Sequence, residues 1–214
     1  MNFILIFTIL YGLLPLFFYH FLKNKLIDIK AIYPFLIVVF IASLFEFIGP
    51  ILLKKSFPTW YLIYKTIAFC GIHYLFFVLL NKRYKIVFSV LILIYLVMIF
   101  LTFTYWKTYF YLNISAFFNV FQTIIILFFS ILWFKKVFQD LVVDNLLKEP
   151  FFYFLSGLII CYTGSVFIYL MGNSIYLTDK TNFQYYWLIN IFLNLILRTL
   201  LIVGILKARV KNSR

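Results

Sequence analysis

Four ionisable side chains lie inside long apolar stretches of this 214-residue chain: Glu46, Lys65, His73 and Arg198. A charge retained in hydrocarbon is costly, so each is a functional lead by default. At 1.5 Å per residue, Glu46 and Lys65 fall about 10 and 9 Å from the same end of two consecutive antiparallel helices. An ion pair between them is the economical expectation, because buried charges usually pair. It would either tie two helices together or take part in ligand or proton handling. Arg198 lies deeper, about 21 Å from that end. Glu46 is the one carboxylate inside the apolar stretches, so Glu46 against Lys65 and Arg198 leaves a formal surplus of one positive charge. A bound anion, a lipid head group or water could meet it. His73 shares the depth of Arg198, and a neutral, hydrogen-bonded imidazole is expected there.

Uncharged polar residues extend this pattern. Trp187, Asn190, Asn194 and Arg198 are spaced 3, 4 and 4 residues apart, which places them on one helical stripe. Ser115, Asn119 and Gln122 follow at 4 and 3, and Tyr162, Ser165 and Tyr169 at 3 and 4. Asn119, Tyr162, Ser165, Asn190 and Asn194 come out about 9–15 Å deep, the layer of Glu46 and Lys65. Five helices thus put polar groups into one half of the membrane, while the other half is nearly all apolar. Such a layer either joins helices by hydrogen bonds, each worth about 0.6 kcal/mol in membranes, or lines a polar cavity. The cavity reading makes Glu46, Lys65, Asn119, Tyr162, Asn190, Asn194 and Arg198 candidate ligand-binding residues facing a common interior space.

Catalytic patterns are missing from the sequence. It has no intramembrane carboxylate pair, no HExxH, CxxC or GxSxG, and no glycine-rich phosphate loop. His20 and His73 are too far apart in sequence to suggest a metal site by spacing. Cys70 and Cys161 both fall near the middle of apolar runs, as small apolar fillers rather than a disulfide. No enzyme activity, metal or cofactor is expected. Asn113-Ile114-Ser115 matches a glycosylation triplet but lies at the start of an apolar run, which discounts it.

The elements that must position these groups follow from composition. Hydrophobic residues make up 66% of the chain, charged residues 12% and aromatic residues 24%. A soluble domain is about half apolar and a quarter charged, so a soluble fold is excluded. The net charge of +13 sits mostly between the apolar runs, which points to membrane topology rather than nucleic acid. Seven runs are long enough to span a bilayer: 3–22, 31–53, 59–80, 86–105, 111–134, 150–172 and 184–206. The expected fold is one all-α domain, 1–214, a bundle of seven transmembrane helices. Short links make sequential helices antiparallel neighbours. Links 23–30, 81–85 and 135–149 and the tail from 207 hold thirteen Lys and Arg, against four in the N-terminus and the other links. That asymmetry predicts the N-terminus outside and the C-terminus in the cytoplasm. The first run has its basic flank, Lys23 and Lys25, after it and lacks a cleavage site, so it reads as a retained helix rather than a signal peptide. Pro15 and Pro50 fall within spans and should kink them, with Gly49-Pro50 as the main break.

Link 135–149 has a pattern of its own. Lys136, Asp140, Asp144 and Lys148 recur every four residues, beside an apolar stripe of Phe138, Leu141, Val142 and Leu146. No Gly or Pro interrupts it before Pro150, so the fifth helix is expected to continue or to turn into an interfacial helix. The stripe would either lie on lipid or dock a partner.

Seven helices invite comparison with two large classes, and neither fits. The last run has no Schiff-base lysine for retinal, Lys82 precedes Arg83-Tyr84 where a G-protein-coupled receptor would carry an acid, and no Asn-Pro-x-x-Tyr occurs. Other segments carry a broader resemblance: Phe45-Glu46-Phe47-Ile48-Gly49, the stretch from Tyr61 to Tyr64, Pro150-Phe151-Phe152 with Gly157, Tyr162 and Gly164, and Trp187-Leu188-Ile189-Asn190 with Asn194. In these the chain resembles a group of bacterial seven-helix inner-membrane proteins often met beside sensor histidine kinases. The resemblance implies a signalling neighbourhood and a membrane or cytoplasmic partner such as a histidine kinase. The function expected is a receptor-like or accessory protein that binds a small ligand or lipid in its outer half. A small-solute or ion transporter is the alternative, and a structural subunit of a membrane complex a further one.

Overall fold

The computed structural model describes residues 2–23, 29–47, 58–80, 84–104, 111–140, 145–178 and 183–208. Those residues are helical, with seven α-helices and no strand among them. The helices are α1 (Asn2–Leu22), α2 (Tyr33–Phe47), α3 (Pro58–Leu79), α4 (Lys85–Thr104), α5 (Tyr111–Asp140), α6 (Pro150–Thr178) and α7 (Phe183–Lys207). Pro58 and Pro150 open α3 and α6, at the one helical position where the missing N–H costs nothing. Below, "upper" means the end at which α1, α3, α5 and α7 begin.

Five of the helices are long and apolar enough to cross a membrane: their apolar stretches are Leu62–Leu79, Lys85–Thr102, Ala116–Gln139, Pro150–Gly172 and Leu188–Lys207. Ile6–Leu22 and Lys30–Phe45 are shorter apolar helical stretches. A helix satisfies its own backbone without water, which is why this architecture serves a chain so apolar. The fold is that of a multi-pass helical membrane protein. Helix α6 continues to Thr178, beyond the end at 172 expected from the hydropathy pattern. Helix α2 is described to Phe47, and the expected Gly49-Pro50 break lies outside the described residues.

Six helices close a ring in the order α1, α2, α3, α5, α6, α7 and back to α1, with α4 outside against α3. The α6–α7 interface is the broadest, and glycine permits it. A Cβ on Gly204 would stand 2.3 Å from the ring of Phe154, a side chain with no exposed surface. Close approach at small residues is the usual way for membrane helices to gain dispersion contact where water supplies no drive.

Helix α4 buries Phe88, Tyr95 and Thr102, one stripe at seven-residue intervals. Tyr95 stacks on Phe69 of α3 at 3.9 Å, and Phe88 stacks on Phe129 of α5 at 4.4 Å. The rest of α4 turns outward, with Ile86, Leu93 and Phe100 among the most exposed side chains, a surface suited to lipid.

At the lower end the link after α5 is shorter as a helix than its pattern suggests. Helix α5 does run beyond its apolar stretch to Asp140. Residues 141–144, which include Leu141 and Val142, lie outside the described residues. Leu146 belongs instead to a 3-10 turn, Leu146–Lys148, so it shares no α-helical stripe with Phe138. The physical reason is Asn145: it is extended, and its side chain accepts from the Leu147 N–H at 2.9 Å, the local bond by which Asn competes with a continuing helix. Glu149 follows, half-buried, and burial raises its carboxyl above the ordinary value against the pull of the Phe151 N–H. Lys136 donates to the Leu79 carbonyl at 3.2 Å, a cation on the open C-terminal end of α3.

The Gly204–Phe154 contact gives a direct test. Gly204→Ala forces a buried ring to move and is expected to cost about 1–3 kcal/mol, read by unfolding in mixed micelles. Wild-type stability in that variant would mean that α6 and α7 are not pressed together at this point.

Candidate functional site

Lys65 is the centre of the polar layer. It sits on α3 two turns from the upper end and is 5% exposed. Its ammonium donates to the Asn119 Oδ1 of α5. It also stands 5.5 Å from the ring centre of Tyr162 and 5.2 Å from that of Tyr169, both on α6. A desolvated cation–ring contact is worth about 2 kcal/mol. The same site knits α5 to α6: Thr123 donates to its own-helix Asn119 carbonyl at 2.7 Å and lies 3.3 Å from the Tyr162 carbonyl. Ser165 donates to the Tyr162 carbonyl at 3.2 Å. Gln122, one turn beyond Asn119, is 1% exposed, and its Nε2 has no hydrogen-bond partner among the described residues.

Arg198 forms a second focus at the α1–α7 seam. Its guanidinium donates to the backbone carbonyl of Thr8 on α1. Gly12, one turn further along α1, is what lets it through: a Cβ there would lie 2.7 Å from Arg198 Cζ and 2.1 Å from the Ser43 hydroxyl of α2. The Thr8 carbonyl is also the acceptor for the Gly12 N–H in regular helix geometry, and a carbonyl oxygen has two lone pairs to share. Pro15 leaves the Tyr11 carbonyl without its intrahelical donor, and the Tyr11 hydroxyl lies 3.2 Å from Thr199 Oγ1. Polar contacts thus line this seam. Depth counted along the backbone overstates how low Arg198 lies, because helical side chains lean toward the N-terminus. The long arm lifts the charge to the level of Thr8.

The candidate residues named from the sequence divide accordingly. Lys65, Asn119 and Tyr162 are brought together, while Arg198 sits apart from them at the α1–α7 seam, against Thr8 and Gly12. Asn190 is buried, but the Asn194 amide donates to the Asn190 carbonyl at 2.8 Å, a bond within α7. The side chain of Glu46 lies outside the described residues, as does that of Trp187. The Lys65–Glu46 ion pair expected from matched depth therefore falls there too; among the described partners of Lys65 is Asn119. His73 departs from expectation. It is 7% exposed, and neither ring nitrogen has a hydrogen-bond partner among the described residues. Phe69 and Phe88 wall it in, at 5.1 and 4.8 Å between ring centres, and the Phe88 backbone lies beside it. Cys70 is exposed on the outer face of α3 while Cys161 is buried, and both are free.

Sequence reasoning left Thr8, Gly12 and Ser43 out of the site. A backbone carbonyl leaves no mark in a pattern of side chains. Gly12, three residues before a proline in an otherwise bulky helix, was the available signal. Among the described residues no group of three His, Cys, Asp or Glu could hold a metal ion. No family model, curated protein or solved structure matches this chain.

The Lys65–Asn119 contact can be measured by a double-mutant cycle. Asn119→Leu strips a buried ammonium of its acceptor and should cost about 2–3 kcal/mol. In a Lys65→Met background the same change should cost well under about 1 kcal/mol, because neighbours that interact are not additive. Additive losses in mixed-micelle unfolding would show that the contact contributes nothing.

Proposed function

We propose that the protein is a receptor-like or accessory membrane protein with seven membrane-spanning helices, its upper end outside the cell. It binds a small ligand or lipid in the upper polar layer and works through a partner on the cytoplasmic side. The observation that carries this reading is the convergence of Lys65, Asn119 and Tyr162 from three helices in a buried polar layer. Support for the orientation comes from the thirteen Lys and Arg at one end against four at the other.

Buried polar residues favour a one-sided site over a path through the membrane. Apart from Arg198, whose arm reaches up to Thr8, only His73 and Ser130 among the described buried polar residues start in the lower half of their helices. A transporter needs a polar route there, and His73 is walled by aromatic rings. Support for a partner at the lower end comes from Phe138, 61% exposed in the last turns of α5 and stacked on Phe134 at 6.4 Å. A histidine kinase is the kind of membrane partner that the resemblance implies.

Two measurements test this. In a chain with Cys70 and Cys161 replaced by alanine, Asn190→Cys should react with a membrane-impermeant maleimide added outside intact cells, and Ser130→Cys should not. Silence at position 190 would refute an outward-open layer, and equal labelling at 130 would favour the transporter. Separately, Phe138→Asp combined with Leu146→Asp should break co-purification with the partner after membrane crosslinking while leaving insertion unchanged. A partner retained by that variant would reject docking at this face.

A further inference from the structure

Resting on that reading, we infer that the part of α1 above Gly12 is a gate on the polar layer, hinged between Gly12 and Pro15 and latched to α7 by Arg198 and Thr199. The first argument is the hinge. Pro15 withholds the N–H that the Tyr11 carbonyl would accept inside a regular helix. Gly12, in the same turn, brings no side chain to pack and loosens the backbone further. The two stand together in an otherwise bulky helix, and such positions are where helices bend.

The second argument is anchorage, which differs on the two sides of the hinge. Below it, Tyr19 and Leu22 belong to the continuous apolar core, and Leu16 and Phe18 pack against that core. Above it, none of the described side chains of α1 joins the core. Thr8 and Ile9 are buried outside it, while Ile6, Phe7 and Leu10 turn outward. Two consecutive residues of α7 grip this upper part: Arg198 donates to the Thr8 carbonyl, and Thr199 Oγ1 lies 3.2 Å from the Tyr11 hydroxyl. The third argument is what lies behind it. The α7 stripe of Arg198 runs upward through Asn194 to Asn190. Helices α1 and α7 both begin at the upper end, so upper α1 runs beside that stripe. Parting it from α7 opens the layer sideways, and closing it covers Asn190, now 8% exposed. A latch of hydrogen bonds can be exchanged for bonds to an entering polar group at little net cost. The size-matched seam of Phe154 over Gly204 offers no such exchange.

The test uses the full chain in nanodiscs, with Cys70 and Cys161 replaced by alanine and pairs of spin labels at exposed positions. Phe7→Cys with Phe192→Cys reports on the seam above the hinge, and Phe17→Cys with Leu206→Cys on the seam below it. Arg198→Gln should lengthen and broaden the upper distance and leave the lower one unchanged. Arg198→Lys keeps a cationic donor and should stay close to the parent distances. Pro15→Ala restores the missing N–H, so it should narrow the upper distribution. It should also slow maleimide labelling of Asn190→Cys about fivefold, the worth of one backbone hydrogen bond, a readout that stands even where Arg198→Gln fails to insert. An upper distance that ignores Arg198→Gln overturns the gate. So does an equal change in both pairs, which means that α1 leaves as one rod, and so does Pro15→Ala labelling at the parent rate. Labelling of Asn190→Cys in those events would leave the outward-open layer standing without a gate, whereas silence at 190 in every variant would refute the layer itself. The two readings thus fail separately.

Discussion

A positive charge inside an apolar bundle must be solvated by the protein itself, and the upper half of this molecule is arranged around that need. Moving an ion out of water costs several kcal/mol even after relaxation. Lys65 meets the cost with an amide oxygen and two tyrosine faces; Arg198 meets it with a backbone carbonyl. Each solution constrains other elements. Asn119 must stand opposite Lys65, which sets the α3–α5 register. Thr123 then reaches the Tyr162 carbonyl and fixes α5 to α6, while Ser165 satisfies that carbonyl from within α6. Position 12 must lack a side chain, because the guanidinium and the Ser43 hydroxyl already fill that space.

The other half of the molecule obeys a different rule. There the ring is closed by size matching, with Phe154 over Gly204 and an aromatic stack running through Phe88 and Phe129. Phe76 extends it, 5.5 Å from Phe129. Rings with little rotamer freedom lose little entropy on ordering and gain many dispersion contacts. His73 sits inside this aromatic region with its nitrogens unmatched among the described residues, a cost the surrounding stack must carry. Helix α4 joins the bundle through the same rings, one per two turns, and otherwise belongs to the lipid-facing surface.

Much of this was legible in the residues. Apolar run length located the helices, because backbone satisfaction in lipid leaves no alternative to a helix for such runs. The 3-and-4 spacing found Asn119 with Gln122 and Tyr162 with Ser165 and Tyr169, since those residues act through side chains on one face. Three features were not legible. The Thr8 carbonyl is chemistry carried by the backbone. The level of Arg198 depends on the lean of a long side chain, which a count along the axis ignores. The 3-10 turn at Leu146–Lys148 turned on Asn145, whose side chain bonds locally against an otherwise helical four-residue repeat. His73 shows the limit of reasoning by rule: buried polar groups are usually bonded, and this ring is surrounded by residues that offer it π-faces instead.

The two halves differ in how they can respond to an occupant, and this bears on the proposed function. A ligand shifts a conformational equilibrium only through its differential affinity for two states. Tightly interlocked seams such as Phe154 against Gly204 offer few alternative arrangements, because close-packed surfaces resist continuous deformation. The α1–α7 seam is of another kind. It carries a guanidinium bonded to a backbone carbonyl and a tyrosine–threonine hydroxyl contact, beside a glycine and a proline in α1. An occupant of the polar layer that engaged Arg198 would compete directly with the Thr8 carbonyl for the same donors. Movement driven from the layer would therefore be concentrated in α1 against α7, while α6 and α7 travel together as a rigid pair down to the lower end, where α6 begins beside Glu149 and the 3-10 turn. Under the proposed function, binding energy applied at the polar layer would reach the lower face most directly along that pair, because its size-matched contacts resist rearrangement.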